Sequence, residues 1–460
     1  MPINSQHPKY VKFASKWQRC RDAYDGQDAI KARGVAYLPR LSKQTQQDYQ
    51  AYKERALFFS ITDKTIGALV GMTMLRTPVI VMPDNMSPYY LDDQGVQFYE
   101  LLAVSVSENL LMGRIGILVD RPADGGNPLP LQYTTESIIN WDTNDKGEPV
   151  FVMLTETVLK EGADRYQKKE ELQYRELKLE NGVYTQQVYD SRMQPVGPPI
   201  IPTNLGLTMD YIPFYVVTPY GIGFDVDKPP MLDLVDINIS HYRTSADLEH
   251  GRHFTALPTP VISGGDTTSE LRVGSQTAWI LPDPNARAMY LEFTGQGLQS
   301  LEKALAEKQG QLASMSARMI DNSKRGSEAP DTVRLRYASE TASLTMVVRA
   351  TEAVFMKVYQ TIAVMTGEDP NQVKIQLNKE LMDVRMTGTE LLNMVKSYIE
   401  GGMSAETLVF NMRRGDIMAI DRSDDEEIST LVAATKARDA AAVKPPPTQS
   451  NMGSGSSSVN

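Results

Sequence analysis

The side chains able to do chemistry are few, and their spacing argues against a catalytic centre. Histidine occurs at four positions, His7, His241, His250 and His253. His241 and His250 are nine residues apart, which at about 100° per residue sets them on opposite faces of a helix. His250 and His253 can share a face, but no Asp or Glu stands at zinc-protease spacing with them. They read better as partly exposed polar helix residues. Cys20 is the single cysteine, so the chain can form neither an intrachain disulfide nor a multi-cysteine metal site. A nucleophile is one reading of it. A small buried apolar side chain is the better one, because cysteine packs as a small hydrophobe.

Asp92-Asp93 and Asp424-Asp425 fall in turn-like or helix-start settings. Sequence neighbours there do not face one another, so neither makes a two-carboxylate pair. Gly113 and Gly116 superficially suggest a phosphate loop. The order, however, is helix, glycine, strand, whereas nucleotide loops run strand, glycine, helix. No Walker loop, Rossmann fingerprint or Gly-x-Ser-x-Gly elbow occurs. Aromatic and basic residues interleave from Trp17 to Tyr24, but Asp22, Asp25 and Asp28 dilute that pattern as a nucleic-acid patch. These residues predict no enzyme, no metal and no cofactor.

The elements that would have to position such groups are organised around residues 231–365. A helix is expected after Pro229-Pro230. Val235, Ile239, Tyr242 and Ala246 then recur at spacings of four, three and four, one face of a helix. Pro258 and Pro260 end it by Leu257. A compact β insert follows, with extended stretches at 259–263, 277–281 and 288–293. The chain returns as a second helix in which Leu298, Leu301, Leu305, Leu312, Met315 and Met319 keep a heptad-like rhythm. Residues 323–331 lack any large apolar side chain and include Gly326 and Pro330, the signature of an exposed loop. A third helix is predicted over 338–365. Leu344, Val348, Phe355, Val358, Ile362 and Met365 form its stripe, and at about 1.5 Å per residue it spans roughly 40 Å. Two readings fit this skeleton: a ring subunit with one helical face toward a lumen, or an ordinary helical hairpin in a globular α+β enzyme.

Upstream, residues 2–42 read as an N-terminal arm and 49–75 as strongly helical, with Gly67 and Gly71 one turn apart predicting close helix packing. A short strand is expected at 79–82, a helix at 97–112, and a turn into a buried strand over 113–120. Residues 131–220 are β-rich, and Asn181-Gly182 between alternating runs signals a hairpin. Downstream, shorter helices are expected at 378–394 and 397–412, and Ser423-Asp424-Asp425-Glu426-Glu427 suits a helix start beside the N-terminal dipole. From about Ala440 the Pro/Gly/Ser/Asn-rich tail predicts disorder.

At 460 residues, with 41% hydrophobic and 23% charged side chains, the chain is long enough for two or three globular domains. No apolar run reaches the roughly 18–20 residues of a membrane span. Residues 1–16 lack a signal-peptide core, which predicts a cytoplasmic origin. The net charge of −10 opposes a protein that grips duplex DNA, since such proteins present a basic face to phosphates. It is compatible with a conduit through which DNA slides.

Several stretches, taken in order, resemble the portal proteins of tailed bacteriophages, and within them a short-chain branch. They are Trp17-Gln18-Arg19-Cys20-Arg21-Asp22 with Tyr37-Leu38-Pro39, and the helical stretch 55–71 running to Arg76-Thr77-Pro78. Next come Gly113-Arg114-Ile115-Gly116-Ile117-Leu118-Val119-Asp120 with Ile138-Ile139-Asn140-Trp141, then Ile212-Pro213-Phe214, then residues 236–247. Together they cover most of residues 15–420.

The resemblance implies an α+β ring subunit, typically one of about twelve at a single capsid vertex. It assigns residues 1–230 to an arm and wing, 231–256 and 297–322 to two stem helices, and 257–296 to a clip. Residues 323–337 become a tunnel loop, 338–370 a wing spine helix, 371–440 a helical crown and 441–460 a tail. Lys324, Arg325 and Glu328 would face DNA from the tunnel loop, where the basic pair either makes transient phosphate contacts or is simply solvated. Asp236, Arg243 and Asp247 would form the lumen face of the stem, and Asp266, Glu270 and Arg272 the docking surface of the clip. The implied partners are the major capsid protein, the terminase large subunit, later tail or adaptor proteins, and double-stranded DNA in the channel. The implied location is the virion, with host cytoplasm during assembly. At −10 per subunit such a ring would carry about −120, which disfavours phosphate docking. The competing classes are a minor capsid or scaffold-type protein without a channel, a soluble α+β hydrolase, and a nucleic-acid-binding module.

Overall fold

The N-terminal segment is built from short helices whose breaks are written in their capping residues. A computed structural model describes residues 2–86, 97–121, 126–161, 166–255, 259–263, 285, 287–291, 296–320, 342–379, 388–414 and 423–442. Helix α1 (Pro8–Asp25) starts where the His7 ring accepts from the Lys9 amide and stops at Gly26, whose φ of 93° favours glycine. Helix α2 (Gln27–Ala32) follows at once. The stretch 49–75, expected to be one helical run, is two helices, α3 (Gln46–Arg55) and α4 (Ile61–Thr73). The break comes at Ala56, which turns extended (ψ 135°), while Phe58 buries its ring and donates its amide to Gln27. Among the described residues the close packing expected at Gly67 and Gly71 is not found: a Cβ at either would meet none of them within 4 Å.

Strand β1 (Val79–Val81) and helix α5 (Gln97–Met112) lead into β2 (Ile115–Asp120), β3 (Leu129–Tyr133) and a meander of β4 (Ile138–Thr143), β5 (Pro149–Glu161), β6 (Lys168–Glu180) and β7 (Val183–Tyr189). The hairpin expected at Asn181-Gly182 is present, with φ of 53° and 75° at the two residues, as a tight two-residue turn requires. Short strands β8 (Thr203–Asn204) and β9 (Leu207–Thr208) precede β10 (Phe214–Thr218) and β11 (Gly221–Ile222). Two four-stranded sheets result, one ordered β11-β10-β2-β3 and one β4-β5-β6-β7. Gly116 is required in the first, because a Cβ there would collide with the Phe214 ring.

Helix α6 (Leu232–Thr255) runs out to β12 (Thr259–Ser263), which pairs antiparallel with β13 (Arg287–Leu291); helix α7 (Gln296–Ile320) runs back. The strand expected at 277–281, the loop at 323–331 and the tail from Val443 onward lie outside the described residues. Helix α8 (Ala342–Thr366) is the spine, packed against α5, β2, β10 and β11. The predicted stripe is the buried one: Leu344, Val348, Phe355, Val358, Ile362 and Met365 are all enclosed. Phe98 of α5 stands edge-on to Phe355, with ring centroids 5.5 Å apart.

Strand β14 (Lys374–Gln376) was not foreseen. It pairs with β1, Val79 opposite Gln376, so the first compact unit runs Met1–Leu381 rather than ending before residue 371. The second unit, Met382–Asn460, contains α9 (Gly388–Ile399), α10 (Ala405–Arg414) and α11 (Asp424–Ala442). There the acidic helix start is as expected: Ser423 and Glu426 each accept the other's backbone amide, a capping box.

Replacing Phe355 with Ala removes a wholly buried ring from the spine and should lower unfolding stability by about 3–5 kcal/mol. Urea titration followed by circular dichroism checks this, and a loss under about 1 kcal/mol would contradict the enclosed packing.

Candidate functional site

The sequence feature with the strongest structural consequence is the α6–α7 hairpin. Its helices are antiparallel and joined along a polar seam. At one end Arg252 pairs with Glu302 at 2.9 Å. Near the middle the Lys308 ammonium donates to the Ser240 carbonyl at 3.2 Å and to the Thr244 hydroxyl. Beside it Gln309 meets the His241 ring at 3.3 Å. Burial, then the charge of Lys308, lowers the pKa of His241. Gly251 makes the close approach possible, since a Cβ there would lie 2.6 Å from Leu298. Thr65 of α4 meets Ser316 of α7 at 3.0 Å and fixes the inner end.

The expected lumen residues of α6 each touch the N-terminal arm. Asp236 pairs with Arg19 at 2.8 Å, Arg243 donates to the Tyr37 carbonyl at 2.6 Å, and Asp247 accepts from the Tyr52 hydroxyl at 2.5 Å. Spaced seven and four apart, the three share one face of α6, which the N-terminal arm meets while Asp236 and Arg243 stay exposed. A further open polar face belongs to α7, where Glu302, Lys303, Ala306, Glu307 and Gly310 are exposed. Its signal was present in the sequence as the positions opposite the Leu298, Leu301, Leu305 and Leu312 stripe. Lys324, Arg325, Glu328, Asp266, Glu270 and Arg272 lie outside the described residues.

His250 lies against the Tyr52 ring at 5.0 Å and meets Arg55 at 3.3 Å. Burial, then Arg55, lowers its pKa. Cys20 is fully buried in the arm, and burial pushes its thiol up to about 12, which removes it as a nucleophile. Among the described residues no group of three or more His, Cys, Asp or Glu is arranged to hold a metal ion, and no helix is long and apolar enough to cross a membrane.

Behind the hairpin, separated motifs converge. The Arg114 guanidinium is wholly buried, 4.4 Å from the Trp141 ring and 5.6 Å from Trp17. The Trp17 indole in turn donates to the Met112 carbonyl at the end of α5. Desolvation lowers the pKa of Arg114, and cation–π attraction to the two indoles offsets part of the cost of burying the charge. Arg21 holds Glu108 at 2.6 Å and Glu136 at 2.9 Å. A second joint ties the two sheets. Arg175 on β6 pairs with Glu156 on β5 at 2.6 Å and with Asp120 on β2 at 3.2 Å, and Tyr133 on β3 donates to Glu156. Burial opposes ionisation of Glu156, but the hydrogen bonds and charge of Arg175, with bonds from Tyr133 and Gln173, outweigh it and hold its carboxyl below the usual range.

With this geometry in view, the chain can be set beside known proteins. The model of a family described as a domain of unknown function (DUF4055) matches residues 230–365, the span from the start of α6 to the end of α8. No curated protein matches the chain. Among solved structures, a chain in the virion of the native gene transfer agent (GTA) particle is similar with a TM-score of 0.38 and 11% identity, over 81% of this chain and 94% of that one. A chain in the neck of the empty GTA particle, computed with C6 symmetry, gives a TM-score of 0.38 and 12% identity, over 82% and 94%. One in the neck of the native particle, computed with C12 symmetry, gives 0.35 and 12%, over 81% and 94%.

Replacing Glu156 with Ala leaves Arg175 with Asp120 as its carboxylate partner and should cost about 1.5–3 kcal/mol at pH 7. Because the folded-state pKa of Glu156 lies below its unfolded value of about 4.3, its contribution is present above that value and is lost as pH falls through the folded one. Urea midpoints measured at pH 7 and pH 3 should therefore differ less for Glu156→Gln than for the parent chain. An equal pH dependence would contradict the ionised joint.

Proposed function

We propose that this chain is a non-enzymatic structural subunit of a phage-like virion, assembling into a portal-type ring at the neck. In this reading the α6–α7 hairpin is the stem, the β12–β13 pair is the base of the clip, and α8 is the spine that ties stem to wing. Copies of the exposed α7 face surround a channel for double-stranded DNA. The clip side receives a packaging motor and afterwards tail or adaptor proteins, and the wing side meets the capsid shell.

The observation that carries the reading is the hairpin. Two long antiparallel helices leave and re-enter the body through one β pair, in the order the sequence resemblance implies. The exposed face of α7 also suits a sliding surface. Glu307 repels phosphates, Glu302 holds Arg252 in an ion pair, and Ala306 and Gly310 offer nothing to grip. A minor capsid or scaffold protein would share the location but has no use for such a face.

Mass photometry of the purified full chain tests the ring. The expected result is a closed species near twelve times 51.2 kDa with no ladder of open intermediates at micromolar concentration. A monomer or dimer at every salt concentration tried would overturn the reading.

A further inference from the structure

The β4-β5-β6-β7 sheet presents two apolar surfaces that no described residue of its own chain covers. The first is a ribbon. β5 and β6 stay paired from Phe151 opposite Lys178 out to Glu161 opposite Lys168. β4 reaches only Leu154, and β7 only Tyr174. From Thr157 outward the pair therefore projects about 17 Å with no third strand among the described residues. Leu159 and Leu172 lie on one face of it, 64% and 43% exposed. Two strands alone are marginally stable in water, so such a ribbon gains from a surface to lie on.

The second surface is an edge. After β7 the chain doubles back along it, the Val196 amide donating to the Val188 carbonyl and Ile200 pairing with Gln186. Along this return Val196, Ile200, Ile201, Leu205 and Leu207 are all at least half exposed. No ionisable side chain occurs from Met193 to Met209. An exposed apolar patch of this kind marks a protein contact.

Geometry and charge select the occupant. Ile200 lies level with Gln186, which stands opposite Leu177, nine residues along β6 from the ribbon end at Lys168. The ribbon tip thus lies roughly 30 Å along the strands from Ile200, and the ribbon, a straight continuation of those strands, cannot fold back over its own edge. Copies of a chain carrying −10 repel each other over most of their surface. Repulsion is least where charge vanishes. The edge has none, and the ribbon's four basic and four acidic side chains between Lys160 and Glu171 cancel.

We propose that the uncharged edge of one copy, residues 195–207, receives the β5–β6 ribbon of the next copy. Such a head-to-tail contact, which rests on the ring reading above, repeats by rotation and closes a ring.

Complementation tests it. The ribbon variant Leu159→Ser/Leu172→Ser and the edge variant Ile201→Asp/Leu207→Asp change exposed side chains, and circular dichroism melts check their folding. Each alone should lose at least tenfold of its assembled fraction by mass photometry. An equal mixture should give dimers, because ribbon-intact and edge-intact copies share one sound junction. As a second readout in the otherwise unaltered chain, copies carrying Leu159→Cys and copies carrying Leu205→Cys should cross-link to each other with a short bis-maleimide. A wild-type ring whose folded variants still close, a mixture that stays monomeric, or absence of the cross-link would overturn this junction alone. A wild-type chain that never assembles would overturn the junction together with the ring.

Discussion

Enclosure of α8 is the constraint on which the first unit depends. A helix of 25 residues with thirteen buried side chains needs apolar partners on several sides at once. The β11-β10-β2-β3 sheet covers one side and α5 another, and the aromatic contacts of Phe98 with Phe355 and Tyr359 lock the second. The hydroxyl of Tyr215 on β10 meets that of Thr361 at 2.6 Å, so a polar group on this interface is satisfied rather than stranded. With α8 fixed, the start of α6 is fixed as well, because Gly113, whose φ of 80° favours glycine, turns the end of α5 against Pro229 and Pro230.

Charged residues do the positioning that apolar contacts cannot. Arg19, Arg21, Arg33 and Arg243 fasten the arm to α6, α5 and itself through fixed donor directions, and the planar guanidinium suits such joints better than a lysine. Arg114 is the exception, a buried cation whose charge is answered by two indole faces rather than a carboxylate. The effect is to hold the N-terminal segment against the outgoing helix of the hairpin. The returning helix keeps one face open, and that division of labour lets one hairpin be both anchored and available.

The hairpin and the spine were legible because long helices with a buried stripe repeat their signal many times. The stripes Val235–Ile239–Tyr242–Ala246 and Leu344–Val348–Phe355 are buried as their spacing predicts. The Asn181-Gly182 turn was legible because its backbone demands those residues. What escaped was non-local. Nothing near Lys374–Gln376 announces that Val79–Val81, some three hundred residues earlier, is its partner. Likewise the polar residues of α6 carry no mark saying that an arm is fastened to them. Arg114 could be quoted within a motif, but its meeting with Trp17 and Trp141 depends on three separate elements folding together. The break at Ala56–Ser60 escaped because tertiary burial of Phe58 overrides a continuous helical pattern.

The central claim is that the open face of α7 looks into the hole of a ring. The most direct measurement is electron microscopy of the assembled chain bearing a gold label on a cysteine placed at Ala306, with Cys20 left buried. The account predicts label density at the rim of the central opening in end-on class averages. Label on the outer circumference, with the ring otherwise intact, would contradict it.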